Sequence, residues 1–142
     1  MSSLVTLLAS QARTASDIGA TATIQGAFKA LMFMLNVTAA AADSGDLLDV
    51  YVQDSQDGTV FTDLVRFTQV LGNGGVKKFY AFANALVSPT VAMGPVQDCA
   101  MAAGVRAGPC GPYFRGKFVI TPDGDQVADQ SYTFELTMRK MQ

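Results

Sequence analysis

The sequence predicts an all-β protein: an antiparallel β-sandwich or jelly-roll with one long Pro/Gly-rich loop. Three observations predict it. Short apolar-rich runs recur with period-two alternation, Gly- and Asp-rich turn signals separate them, and 49% hydrophobic against 15% charged residues in 142 positions fits a single well-buried core. Seven or eight strands are expected, in one domain spanning 1–142 with an extended N-terminal segment (1–16) and a long loop (88–112).

The elements follow in order. An apolar run at Leu4–Ala9 precedes a Ser/Thr/Gly-rich connection, and "ATATIQG" (20–26) resumes the extended pattern. In "FKALMFMLNVTA" (28–39), Leu31, Phe33, Leu35 and Val37 share one face while Met32, Met34 and Asn36 share the other. Ala, Leu and Met also suit a helix, but Val37-Thr38, the Gly26 entry and the strand patterns on either side favour a strand covered on both faces. "LDVYVQD" (48–54) alternates cleanly, which predicts Leu48, Val50 and Val52 inward and Asp49, Tyr51 and Gln53 outward.

"SQDG" (55–58) is a hairpin signal, because glycine accepts the positive φ that the turn requires. "TVFTDLVRFTQVL" (59–71) is the returning strand, "GNGG" (72–75) turns again, and "VKKFYAFANALV" (76–87) supplies another apolar-rich run. The chain closes with "YFRGKFVIT" (113–121), a "PDGD" turn and "SYTFELTM" (131–138), read as a final hairpin.

Region 88–112 differs from its surroundings: four of the five prolines fall there, with only two charges, Asp98 and Arg106. It reads as a loop, with a short helix expected within 96–105 ending near Gly104. An apolar loop this long either folds back over its own core or packs against another chain, and the low charge favours the second. Met93, Val96, Met101, Val105 and Arg106 are therefore the candidate protein-interface residues.

Chemistry is less visible. The chain has no histidine, which removes Ser-His-Asp and Cys-His systems and imidazole proton shuttles. Two cysteines, Cys99 and Cys110, without histidine do not make a four-ligand zinc site; they read as buried thiols, with a single bridge as the alternative. Asp54, Asp57 and Asp63 are the obvious candidates for acid–base work, yet Asp54 and Asp57 flank an expected solvated turn, where nothing separates their pKa values. Asp54, Asp57 and Gly58 are accordingly assigned a structural role in the hairpin. Calcium is a minor alternative, since the spacing is wrong for a helix-flanked loop and no glutamate closes it.

No cofactor, metal or catalytic residue is expected. A net charge of -2 with scattered basic residues gives no footprint for nucleic acid, and the longest apolar-rich run, 30–42, is too short to cross a bilayer. The first positive charge, Arg13, follows the N-terminal apolar stretch rather than preceding it, unlike a secretory signal, so synthesis in the cytoplasm without processing is expected.

The order "TLLASQARTAS" (6–16), "FKALMFMLNVTA" (28–39), "LDVYVQDSQDGTVFTDLVRF" (48–67) and "FRGKFVIT" (114–121) resembles small β-sandwich virion proteins of tailed bacteriophages. Those proteins carry a run L-x-V-x-V-Q-D-S-x-D-G-T-x-[aromatic]-x-D-L. Leu48, Val50, Val52, Gln53, Asp54, Ser55, Asp57, Gly58, Thr59, Phe61, Asp63 and Leu64 stand in its positions, with Phe61 replacing a frequent tryptophan, and 88–112 departs from the compact members. The resemblance implies a capsid decoration (cement) protein on the virion surface that bridges capsid subunits. It implies as partners the major capsid protein and copies of itself, in a homo-oligomer such as a trimer. A tail or neck component is the runner-up. A carbohydrate- or host-surface-binding module is the alternative from another class, with Tyr51 and Tyr80 as candidate outward rings.

Overall fold

The computed structural model describes residues 4–26, 28, 30–84, 104–106, 110–124 and 130–141. Two antiparallel sheets pack face to face, as the sequence predicts, and no helix occurs among the described residues.

The first sheet has the order β1-β11-β4-β8, from β1 (Leu4–Arg13), β11 (Tyr132–Met141), β4 (Ala30–Ala39) and β8 (Lys77–Asn84). The second runs β2-β10-β5-β6-β9, from β2 (Asp17–Ile18), β10 (Tyr113–Thr121), β5 (Leu47–Ser55), β6 (Thr62–Arg66) and β9 (Gly104–Val105). The short β3 (Ala22–Thr23) pairs with β10, and β7 (Val70–Leu71) pairs with β5.

The core is the meeting of the two inner faces. Leu31, Phe33, Leu35 and Val37 of β4 alternate inward as expected, as do Tyr132, Phe134, Leu136 and Met138 of β11, and all eight are fully buried. Facing them lie Leu48, Val50 and Val52 of β5 with Phe114, Phe118 and Ile120 of β10. Phe118 meets Phe134 edge-on, ring centroids 5.3 Å apart, and Phe33 meets Phe114 at 6.3 Å, so aromatic contacts tie the sheets together. Gly116 lets β10 approach the other sheet closely: a Cβ there would lie 2.7 Å from Leu8 Cγ and 2.9 Å from Leu136 Cδ2. Only hydrogen fits that gap without displacing leucines.

Four expectations need correction. The last two strands are not a hairpin: β10 belongs to the second sheet and β11 to the first, so the chain changes sheets between them. A turn signal marks reversal but does not say which sheet the next strand joins. The run 59–71 divides into β6 and β7, with Phe67 buried between them and its N–H donating to Val50 O at 3.0 Å. Leu4–Ala9 extends through Arg13 as a full strand, with register shifts against β11 at Thr6/Leu8 and at Leu8/Gln11.

The fourth concerns β5, which is buried on both faces after its first residue. Asp49, Tyr51 and Gln53 do lie on the face away from the core, yet longer side chains cover them. The Arg66 guanidinium donates to Asp49 at 3.0 Å and lies over the Tyr51 ring at 5.4 Å from its centroid, and Gln69 donates to Asp49 at 2.9 Å. Arg115 donates to Gln53 at 2.9 Å. Amphipathic stems thus turn a face that alternation marks as wet into a roofed one.

Candidate interaction surface

Two features stand at the end of the sandwich that holds residues 104–106. One is a polar latch; the other is an apolar edge.

The latch is built on Asp54. Asp54 follows Leu48, Val50 and Val52 on the inner face of β5, so period two carries it to the rim of the core rather than into solvent, and it is 3% exposed. Burying a carboxylate is tolerated when its oxygens are bonded. Arg106 Nη2 donates to Asp54 Oδ1 at 2.7 Å, Thr62 donates to the same oxygen at 3.3 Å, and the Gly111 N–H donates to Oδ2 at 2.9 Å. Arg106 Nη1 also donates to Thr62 Oγ1 and to Asp63 O. One carboxylate therefore fastens both 104–106 and 110–111 to the β5–β6 hairpin, while β9 pairs with β6 through Val65 and Arg66.

Beside it, Asp63 is fully buried and accepts from Gln53 Nε2 at 2.8 Å. The expectation that Asp54 lies in a solvated turn is therefore corrected. Asp57 does occupy the exposed loop: its carboxylate accepts from the Thr59 and Val60 N–H groups at 2.8 and 3.0 Å and from Ser55. Those donors hold its carboxyl below the usual aspartate range. Gly58 supplies a positive φ of 79° in the same loop, the role the Asp-Gly pair predicts. A small cavity of about 250 Å3 lies between this loop and Arg106. No group of three or more metal-ligating side chains occurs among the described residues.

The apolar edge lies where β8 of the first sheet approaches β9 of the second. A cleft of about 490 Å3 opens there, lined by Val65, Phe67, Phe79, Tyr80, Phe82 and Val105 among others. Phe79 turns inward against Phe67, ring centroids 6.5 Å apart, whereas Tyr80 and Phe82 turn outward and are 56% and 55% exposed. Val105 is 39% exposed. Neighbouring outward positions across the sheet, Met34 opposite Tyr80 and Met32 opposite Phe82, are half-buried methionines, so the apolar surface continues onto β4.

Of the predicted interface residues, Val105 faces this cleft, while Arg106 turns back to Asp54 and anchors the segment. Met93, Val96 and Met101 lie outside the described residues, as does most of the expected helix; Gly104 and Val105, at its expected end, form strand β9 instead. Cys110 is a free, half-buried thiol whose burial, with Asp54 nearby, pushes its pKa up to about 11; Cys99 lies outside the described residues. Tyr51 is 2% exposed, so of the two candidate outward rings only Tyr80 presents itself. The pairing of Tyr80 with Phe82 was missed in sequence, although a two-residue spacing on a strand with alanines between and beyond is the signal for it.

Comparison with protein-family models, with curated proteins and with solved structures returned no match in any of the three.

Proposed function

We propose that the chain is a bacteriophage virion structural protein, a head decoration or cement protein that works by adhesion to the major capsid protein and to copies of itself, and catalyses no reaction. The observation that carries this reading is the exposed apolar corner formed by Tyr80, Phe82 and Val105 on a rigid two-sheet frame. Clustered exposed apolar groups of this kind mark contact surfaces. The motif in 48–67 points the same way: its buried acids, Asp54 and Asp63, hold the hairpin and the returning segment in place and leave the contact surface to the apolar residues. A tail or neck placement uses the same surface and remains the runner-up.

A cement protein gains from several modest contacts made at once, since each tethered contact raises the effective concentration for the next. Co-sedimentation with empty heads of the virus that carries the gene tests this. Binding should saturate at a fixed ratio to capsid subunits, and Val105→Lys should weaken it at least tenfold without changing the melting temperature. Heads that take up no protein contradict the reading.

The carbohydrate- or host-surface-binding reading has one observation in its favour, the side-by-side Tyr80 and Phe82 rings, which form a platform on which a sugar ring could stack. Glycan-array binding that disappears in Tyr80→Ala would establish it in place of the first.

A further inference from the structure

We infer that β8 is a homotypic edge: two copies of the chain pair antiparallel along Lys77–Asn84, in the register that places Ala81 opposite Ala81, and join their four-stranded sheets into one of eight. This gives the self-association in the virion reading a location, and rests on that reading for its biological use.

The inference starts from the sheet ends. A sheet edge offers unpaired N–H and C=O groups to any strand that arrives, and soluble proteins blunt such edges. Among the described residues, three of the four ends are blunted. β2 and β9, which close the second sheet, are two residues each. β1, at one end of the first sheet, carries two register shifts, and its last residue, Arg13, folds over the Phe134 ring at 4.5 Å while donating to Phe134 O at 2.8 Å. β8 is different. It is eight residues long, pairs with β4 from Ala30↔Asn84 to Val37↔Lys77 without a shift, and shows two outward aromatic side chains more than half exposed. Lysines guard only its first two positions.

Self-complementarity identifies a second copy as the occupant. In an antiparallel pair, side chains on one face must meet side chains on the same face, so the twofold axis passes through a residue and not between two. With the axis at Ala81, Tyr80 of each copy opposes Phe82 of the other, twice, which is a favourable aromatic cross-strand pair. On the inner face Phe79 opposes Ala83, large against small, and Ala81 opposes itself. Lys78 falls opposite position 84, which carries no charge, and the two Lys78 sites stand six positions apart along the ladder, ~20 Å at 3.4 Å per residue. That separation exceeds the screening length in physiological salt, so the lysines do not oppose the pairing. With the axis at Tyr80 instead, Lys78 would face Phe82, and a single Tyr80–Tyr80 pair would replace the two Tyr80–Phe82 pairs.

The size is adequate. A strand of eight residues is ~27 Å long, and with its outward rings each copy brings on the order of 500 Å2, about 1,000 Å2 in total, the lower bound for a specific interface.

Purified protein without any viral shell tests the inference, so it and the head-binding reading can fail separately. Native mass measurement should show a species of twice the 15.0 kDa chain at micromolar concentration, and Phe82→Lys should convert it to monomer with unchanged circular dichroism and melting temperature. Register is read by cysteine pairing. A mixture of the Tyr80→Cys chain with the Phe82→Cys chain should form a 80-to-82 disulfide found by peptide mapping, whereas either variant alone should form at least tenfold less cross-link through its new thiol. A chain that stays monomeric at all accessible concentrations overturns the inference. So does a dimer that survives Phe82→Lys, or one whose cross-links map to another register.

Discussion

Arg106 and Asp54, 52 positions apart in the chain, lie 2.7 Å apart across the rim of the sandwich, with side chains only 12% and 3% exposed. The pair fastens residues 104–106 to the β5–β6 hairpin. It also settles what the acidic stretch does. Asp54 is a fastener whose oxygens are taken up by a guanidinium, a hydroxyl and a backbone N–H.

Removing one partner of a buried pair leaves the other charge uncompensated, at about 3–5 kcal/mol. Asp54→Ala should fall near the lower end, about 3 kcal/mol, because Arg106 retains Thr62 and the Asp63 carbonyl and a little solvent access. Chemical denaturation measures the loss, and hydrogen exchange should show faster opening at 104–106 and at Gly111 than in β4 or β11.

Stability should decline in alkali through two groups. Burial pushes the Cys110 thiol from 9.0 up to about 11 and the Tyr132 hydroxyl from 10.0 up to about 12, with Asp54 and Asp46 respectively adding to the effect. In both cases the fold prefers the neutral form. The contribution is complete below the unfolded values and is lost as pH rises from about 9 through 12. Unfolding midpoints measured between pH 7 and 11 should fall above pH 9. The Cys110 peptide should alkylate about 100-fold more slowly in native than in unfolded protein at pH 8, following thiolate fraction.

Tyr132→Phe removes a hydroxyl whose single proton is shared between Asp46 O at 3.0 Å and, more weakly, Val70 O at 3.4 Å. One shared hydrogen bond is lost while Asp46 O keeps the Gly72 N–H, so about 1 kcal/mol should be lost at pH 7, measured by denaturant titration. The alkaline decline should also become shallower.

Gly116→Ala inserts a methyl group between Leu8 and Leu136. Overpacking at such a place costs about 1–3 kcal/mol. A lowered melting temperature with unchanged far-ultraviolet dichroism is the expected result.

The Asp57 carboxyl should titrate below 3.8 in the folded protein, since the Val60 and Thr59 N–H groups favour its charged form. This contribution is present above the unfolded value and lost as pH falls through the folded one. Carbon-detected NMR titration of the side chain reads the value, and Asp57→Ala should make the stability profile shallower at low pH.

Much of the fold is legible in the sequence because burial imposes period two on β4 and β11, where each inward residue is apolar. β5 misleads for a physical reason: Asp49, Tyr51 and Gln53 look like a wet face, and only the arrival of Arg66 from β6, Gln69 from the β6–β7 link and Arg115 from β10 covers them. Long-range partners of that kind leave no local trace. The same holds for Asp54, whose neighbours in sequence suggest a turn while its partner comes from 52 positions away. Sheet membership of β10 and β11 was equally hidden, since a proline–glycine turn serves a hairpin and a crossover alike.

Adhesion to a viral shell is visible by electron cryo-microscopy of heads incubated with saturating protein. Ordered density the size of the sandwich should stand on the outer surface at junctions between capsid subunits. Heads that remain bare at saturation would contradict the account.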